Sequence, residues 1–427
     1  MIIHRPDKIT QETHTILWSK IDLEAPRERF PKYVWYRAPN RYAEYLSDHS
    51  DAFLVPALMA AMHFGEDIRV EGEISPRLAY HLDEYQFILN HQYPKYVRPV
   101  SIQYERLEAL SVQPTVVGTT FSGGVDSFFA LFKHTRDSQN SPDYRITHAL
   151  FVNGFDTVHK EEHRYWILYE RFQRALDSID VELVPLETNV MRMIVPWLIF
   201  AKFYPPVLVG SALSLAGLFK RFIISNSWDY YQLKEHFHSS NPLSDRLLST
   251  ETLDVEHFGA TYRRVEKVEA ISDWKLAQDH LRVCGHPNLG DQDLNCSRCG
   301  KCIRTMIPMY ALGKMEQFHT FSRPLRSNRD VLRWARKFDT SPIYAPEIYP
   351  YLRKHKPGML PWLRIAVLLG YLRRWSIMLL PVTLKRYLQR FGHFTDHIQE
   401  EGAFENPAVI AIIDASDRKK ELEQDTC

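Results

Sequence analysis

The sequence predicts an α/β protein with a doubly wound parallel sheet, on two observations. Short apolar runs at residues 115–121, 147–152, 181–186 and 221–225 alternate with stretches long enough for right-handed helical crossovers. A glycine turn, Ser122-Gly123-Gly124-Val125-Asp126-Ser127, falls between the first run and an expected helix over 128–133. Ligands of such sheets bind beyond the carboxyl ends of the strands, and that is where this turn is expected.

The length of 427 residues allows two or three domains. Hydrophobic residues make up 45% and charged residues 25%, and 53 Lys+Arg against 52 Asp+Glu leave a net charge of +1, which excludes a disordered tail protein and a globally basic nucleic-acid binder. Residues 1–110 read as a small α+β module. Its strand-like runs lie at 15–18, 33–36, 69–72 and 100–104, its helical stretches at 52–64 and 78–89, and it has no catalytic constellation. Residues 111–315 form the expected core, 316–415 a helical basic region, and 416–427 a charged tail expected to fray. No apolar leader follows Met1 and no apolar stretch reaches membrane-spanning length, so the expected location is the cytoplasm, with no transmembrane segment.

The turn at 122–127 carries the chemistry. Two glycines let the backbone bend tightly and bring N–H groups near an anion, Ser122 and Ser127 add hydroxyls, and the following helix directs its positive end at the same point. The same letters also suit a plain glycine turn with a helix cap. Neither a Walker loop nor a GxGxxG fingerprint is present. Residues 151–156 end the second apolar run with an Asn-Gly turn, open to a plain-loop reading. Gly210-Ser211 is expected to open a helix through 219, or to allow close helix packing, and the polar run 238–242 is either pocket or surface loop.

Five cysteines are too few for a disulfide scaffold at this length. Cys284 is followed by Cys296-Ser297-Arg298-Cys299-Gly300-Lys301-Cys302, whose two-residue spacings let thiolates converge on one Zn²⁺, with Gly300 relaxing the turn. Arg298, Lys301 and Arg304 are expected to offset the excess negative charge. An iron–sulfur cluster is the rival, although Ile303 stands where ferredoxins usually carry proline.

The complete SGGxDS turn resembles the hallmark of the PP-loop (N-type) ATP pyrophosphatase superfamily, whose fold is Rossmann-like (adenine nucleotide alpha hydrolase-like). The resemblance implies that Ser122, Gly123, Gly124, Val125 and Ser127 bind the β and γ phosphates of ATP while a substrate attacks the α phosphorus, and that Asp126 orients the loop or a Mg²⁺ ion. It implies adenine contact by Asn153 and Phe155. The segment Arg264-Val265-Glu266-Lys267-Val268-Glu269-Ala270-Ile271 resembles the Lys-x-Glu-x-hydrophobic segment of several such enzymes, making Lys267 the cation for leaving pyrophosphate, although spacing alone fits a solvated helix residue. A PP-loop, then Lys267, then one cysteine before CxxCxxC is similar to the order in 7-cyano-7-deazaguanine synthases and their QueC-like relatives, over about residues 115–312. That implies ATP activation of a carboxylate, on a modified purine, another small molecule or a partner protein, and transfer to a nitrogen nucleophile beside a zinc cluster. The extra segments on both sides and the polar loop at 238–245 depart from the synthase pattern. A tRNA-thiolating PP-loop enzyme would need a catalytic cysteine pair where only Cys427 remains, and a nucleotide-binding subunit of a complex, as in antiviral defence, is the third reading.

Between Tyr349 and Thr395 stand Arg353, Lys354, Lys356, Arg364, Arg373, Arg374, Lys385, Arg386 and Arg390 without one Asp or Glu. Such a stretch could meet RNA, a phospholipid surface or an acidic protein, or form a core helix with a solvated arginine face.

Overall fold

The four apolar runs expected as strands form four neighbouring parallel strands. The computed structural model describes residues 1–427 apart from 136–139, 156–158, 160–161, 196, 199–202, 236–239, 286–288, 291–292, 337–340, 379–404 and 426–427. The chain divides into one unit of Met1–Phe121, His134–Ala260 and Gln399–Cys427 and a second of Ser122–Lys133 and Thr261–Ile398.

The first unit is built on an eleven-stranded, mostly parallel sheet. Its strands are β1 Ile2–Ile3, β2 Asp7–Thr10, β3 His14–Asp22, β4 Tyr33–Pro39, β5 Ile68–Ile74, β6 Ile102–Leu107, β7 Val116–Thr120, β8 His148–Asn153, β9 Glu182–Thr188, β10 Phe219–Ser225 and β11 Asp254–Phe258. The order is β11-β10-β7-β8-β9-β4-β3-β1-β5-β6, with β2 paired to β3. The helices of this unit are α1 Asp51–Phe64 and α2 Pro76–Gln92, and, beyond α3 Val125–His134, α4 Glu162–Asp177, α5 Pro205–Leu213 and α6 Tyr230–Glu235. Helix α1 is apolar on every side and buried accordingly. It stops at Gly65, whose φ of +69° places it in the left-handed region while its amide donates to the Ala61 carbonyl at 2.7 Å.

The segment read as a separate N-terminal module extends the same sheet. Its strand β4 pairs antiparallel with β9 in the register Tyr36↔Thr188 and Arg37↔Glu187, and the Arg37 guanidinium reaches the Glu187 carboxylate across that pair at 2.6 Å. Strand β11 has no counterpart among the expected runs, because Asp254, Glu256 and His257 interrupt its apolar residues. Gly210-Ser211 lies near the end of α5 rather than at a helix start. A Cβ on Gly210 would meet the Ala52 carbonyl oxygen and the Tyr36 hydroxyl, both at 3.0 Å, so this glycine serves close packing.

The charged segment expected to fray is helical as far as Asp425. It is part of α12, Pro407–Asp425, after the second-unit helices named next. Val409 and Ile413 of α12 pack with Ile16, Trp18, Tyr33 and Trp35, and the Tyr33 hydroxyl donates to Asp417 at 2.7 Å. This apolar stripe was masked in the sequence by the charges that follow it.

The second unit is helical: most of α3, then α7 Arg264–Ile271, α8 Lys275–His280, α9 Gly300–Ala311, α10 Ser341–His355 and α11 Leu360–Met378. Helices α7, α9 and α10 pack on one another. Among the described residues no helix is long and apolar enough to cross a membrane. Helix α11 buries Leu363 and Ala366 and exposes Arg364 and Arg373, and on its outer side Ile365, Leu368, Leu369, Leu372 and Trp375 are exposed as well, so a second apolar stripe faces outward. Lys385, Arg386 and Arg390 of the basic stretch lie outside the described residues.

Candidate functional site

In the chain the glycine turn follows β7 and opens α3. Gly123 has φ +75°, a left-handed conformation that glycine adopts without strain. Ser122 accepts from the Gly124 amide at 3.4 Å, and the Gly124 carbonyl accepts both the Ser127 hydroxyl and the Phe128 amide at 3.0 Å. Both serine hydroxyls thus brace the turn. The Arg282 amide donates to the Gly123 carbonyl at 2.7 Å, tying the turn to the segment that leads to Cys284. The amides of the first turn of α3 have no intrahelical acceptor and are the groups available to an anion.

Asp126 lies in that first turn, with Val125 buried beside it. Its Oδ1 accepts from Lys267 Nζ at 3.0 Å and its Oδ2 from Arg264 Nη1 at 2.8 Å. Arg264 and Lys267 are one helical turn apart on α7, which puts both cations on the same face. The α7 terminus is fixed by Glu266, whose carboxylate accepts from the Arg263 amide at 2.7 Å. The Lys267 side chain is only 2% exposed, which rules out the solvated helix residue that spacing alone allowed. Burial alone would raise the Asp126 carboxyl, but Lys267 and Arg264, aided by Arg304, outweigh it and hold the carboxyl below its ordinary value. Both carboxylate oxygens of Asp126 are thus taken up by cations of α7.

Asn153 and Phe155 belong to the first unit. Asn153 is buried at the end of β8, its amide nitrogen donating to Glu187 at 3.3 Å while its Oδ1 has no hydrogen-bond partner among the described residues. Phe155 is half-buried after Gly154, whose φ is +106°, and Asp156 of the same turn lies outside the described residues. In the polar run at 238–242, His238 and Ser239 also lie outside them. Ser240 donates to Asp245 at 2.9 Å, and Asp245 is also paired with His257 at 2.7 Å, so this part of the run is tied into the first unit rather than a free loop.

No family model, curated protein or solved structure matches this chain.

The four cysteines converge in the second unit. The sulfurs of Cys284, Cys296, Cys299 and Cys302 all lie within 4.8 Å of one another, with Cys284–Cys299 at 3.8 Å, Cys296–Cys302 at 3.9 Å and Cys299–Cys302 at 3.4 Å. Ligands ~2.3 Å from a tetrahedral ion stand about 3.8 Å apart, so the four sulfurs form a candidate metal site of a size that suits zinc. Backbone amides support it: Arg298 and Cys299 donate to Cys296 at 3.4 and 3.3 Å, and Cys302 donates to Cys299 at 3.4 Å, capping α9. The left-handed residue of the knuckle is Ser297, φ +56°, while Gly300, expected to relax the turn, opens α9. Its hydroxyl accepts from the Arg323 amide at 3.0 Å.

Two residues of this unit went unread in the sequence or were read differently. Asn295 accepts from the Val283 amide at 2.8 Å and donates to the Leu281 carbonyl at 2.7 Å, pinning together the segments that bear Cys284 and Cys296. Arg304, expected to offset the thiolates, stacks 3.7 Å from the Tyr344 ring centroid and acts on Asp126. Helical spacing could have separated it from the cluster; its partner on α10 is invisible in sequence.

Proposed function

We propose that the protein is an ATP-dependent, AMP- and pyrophosphate-forming ligase that adenylates a carboxylate and passes the acyl group to a nitrogen nucleophile. The observation that carries this reading is the meeting of Asp126, in the SGGxDS turn, with Lys267 at 3.0 Å, the two residues to which the resemblance assigns catalysis. A carboxylate oxygen attacks the α phosphorus, the α–β phosphoanhydride bond breaks, and pyrophosphate leaves. A nitrogen nucleophile then attacks the acyl carbon, AMP departs, and the proton from nitrogen passes to solvent. Amides of the 122–127 turn hold the phosphates, and Lys267, positioned by Asp126, meets the negative charge growing on the leaving oxygen. Cys284, Cys296, Cys299 and Cys302 hold a zinc ion that braces this unit and takes no part in the bond changes.

The test supplies the full-length protein with α-labelled ATP and a panel of carboxylates, with and without cell extract. Equal amounts of AMP and pyrophosphate, formed only with an acceptor carboxylate and absent from Lys267→Met, are expected. Tight ATP binding with no AMP under any of these conditions would instead favour the nucleotide-binding subunit. The outward apolar stripe of α11 favours an acidic protein over RNA as macromolecular partner, since RNA would leave it uncovered. Leu372→Ser should then block transfer to a protein acceptor while sparing AMP formation on a small carboxylate. Loss of both would contradict that assignment.

A further inference from the structure

Around Asp126 positive charge exceeds negative charge. Lys267 and Arg264 both pair with its single carboxylate. A third cation, Arg304, stands on α9, which packs against α7, and lies over Tyr344 of α10, the helix that also carries Glu347; its positive charge helps to hold the Asp126 carboxyl down. Lys267, Arg264 and Arg304 thus stand against Asp126 and Glu347.

Arg304 is the member of this group with no acid of its own. It makes no ion pair among the described residues, and its Nε is buried with no hydrogen-bond partner. The Nε of Arg264 is orphaned in the same way. Stacking on Tyr344 occupies the flat side of the Arg304 guanidinium and leaves its donor edge for an oxyanion with several oxygens. Buried donors without acceptors are costly in a finished fold and expected where a ligand supplies the missing acceptor.

Arg304 is also tied to the thiol cluster. It stands two residues beyond Cys302 on α9, and the first turn of that helix is capped by Cys299. We propose that Arg304 is a polyphosphate ligand, completing with Lys267 and Arg264 a subsite for pyrophosphate or the outer phosphates of a nucleotide, and that the metal-bound cysteines set its position. The proposal rests on the α-phosphorus chemistry above and adds to it a residue and a link between metal centre and phosphate site.

Inorganic pyrophosphate and ATP are titrated separately by calorimetry into the full-length wild type, Arg304→Gln and Arg304→Lys, each before and after metal depletion with a chelator, with thermal unfolding as the check on folding. Arg304→Gln is expected to weaken pyrophosphate binding about tenfold or more, with partial recovery in Arg304→Lys. Metal depletion should weaken wild-type binding similarly and add little in Arg304→Gln. Equal pyrophosphate affinity in wild type and folded Arg304→Gln would overturn the assignment and leave the ligase reading standing, as would full additivity of depletion and substitution for the metal link. A metal-replete wild type that binds neither pyrophosphate nor ATP would overturn both.

Discussion

Lys267 and Asp126, 141 residues apart in sequence, meet with Nζ 3.0 Å from Oδ1, and Arg264 takes the other oxygen at 2.8 Å. Removing the carboxylate charge strands two buried cations. Asp126→Asn is expected to lower stability by about 3–5 kcal/mol, the usual consequence of breaking one side of a buried pair, and to abolish AMP formation. Urea unfolding beside the AMP assay checks both, and a variant as stable as wild type would show the carboxylate to be structurally idle.

The metal centre makes a compositional prediction. Elemental analysis of the purified protein should find about one zinc per chain and no iron. Cys299→Ser should lose the ion, because Cys299 both lies among the four sulfurs and accepts the Cys302 amide that starts α9. A brown, iron-containing protein would contradict the assignment.

A histidine in the first unit sets a pH dependence. Burial pushes the His159 imidazole below its ordinary 6.5, only partly opposed by the hydrogen bond from Nε2 to the Thr188 carbonyl at 2.9 Å, and Nδ1 has no hydrogen-bond partner among the described residues. The folded state therefore keeps the ring neutral, and the unfolded state takes up the proton first. Stability from this group is complete above about pH 6.5 and is lost as pH falls through the lower folded value. Denaturant midpoints between pH 7.5 and 5 should fall less in His159→Asn than in wild type. Parallel profiles would refute the account.

The turn after β8 tolerates only glycine. At Gly154, φ is +106° and a Cβ would lie 2.0 Å from the Thr188 carbonyl oxygen, which is backbone and has no rotamer to yield. Gly154→Ala is expected to cost more than about 2 kcal/mol and to lower the melting temperature by several degrees. An unchanged melting temperature would mean that the backbone here relaxes freely.

The sequence disclosed what depends on local pattern. Strands β7 to β10, the turn at 122–127 and the two-residue cysteine spacings are contiguous signals, and each appears where its residues stand. What it concealed depends on pairing across distance. The β4–β9 register joins the N-terminal strands to the sheet through residues about 150 positions apart, and no local run announces it. Strand β11 carries too many charges for its length, and α12 hides an apolar stripe ahead of a charged tail. Around the turn, resemblance singles out Lys267, whereas Arg264 as its companion on Asp126 and Arg304 over Tyr344 emerge only when α7, α9 and α10 are packed.

The most direct measurement is a crystal structure of the full-length protein soaked with α,β-methylene ATP. Triphosphate density against the amides of residues 122–127, with an outer phosphate within hydrogen-bond reach of Lys267, is the predicted result. Nucleotide bound elsewhere, or a turn that stays closed on its own serines at saturating ligand, would contradict the account.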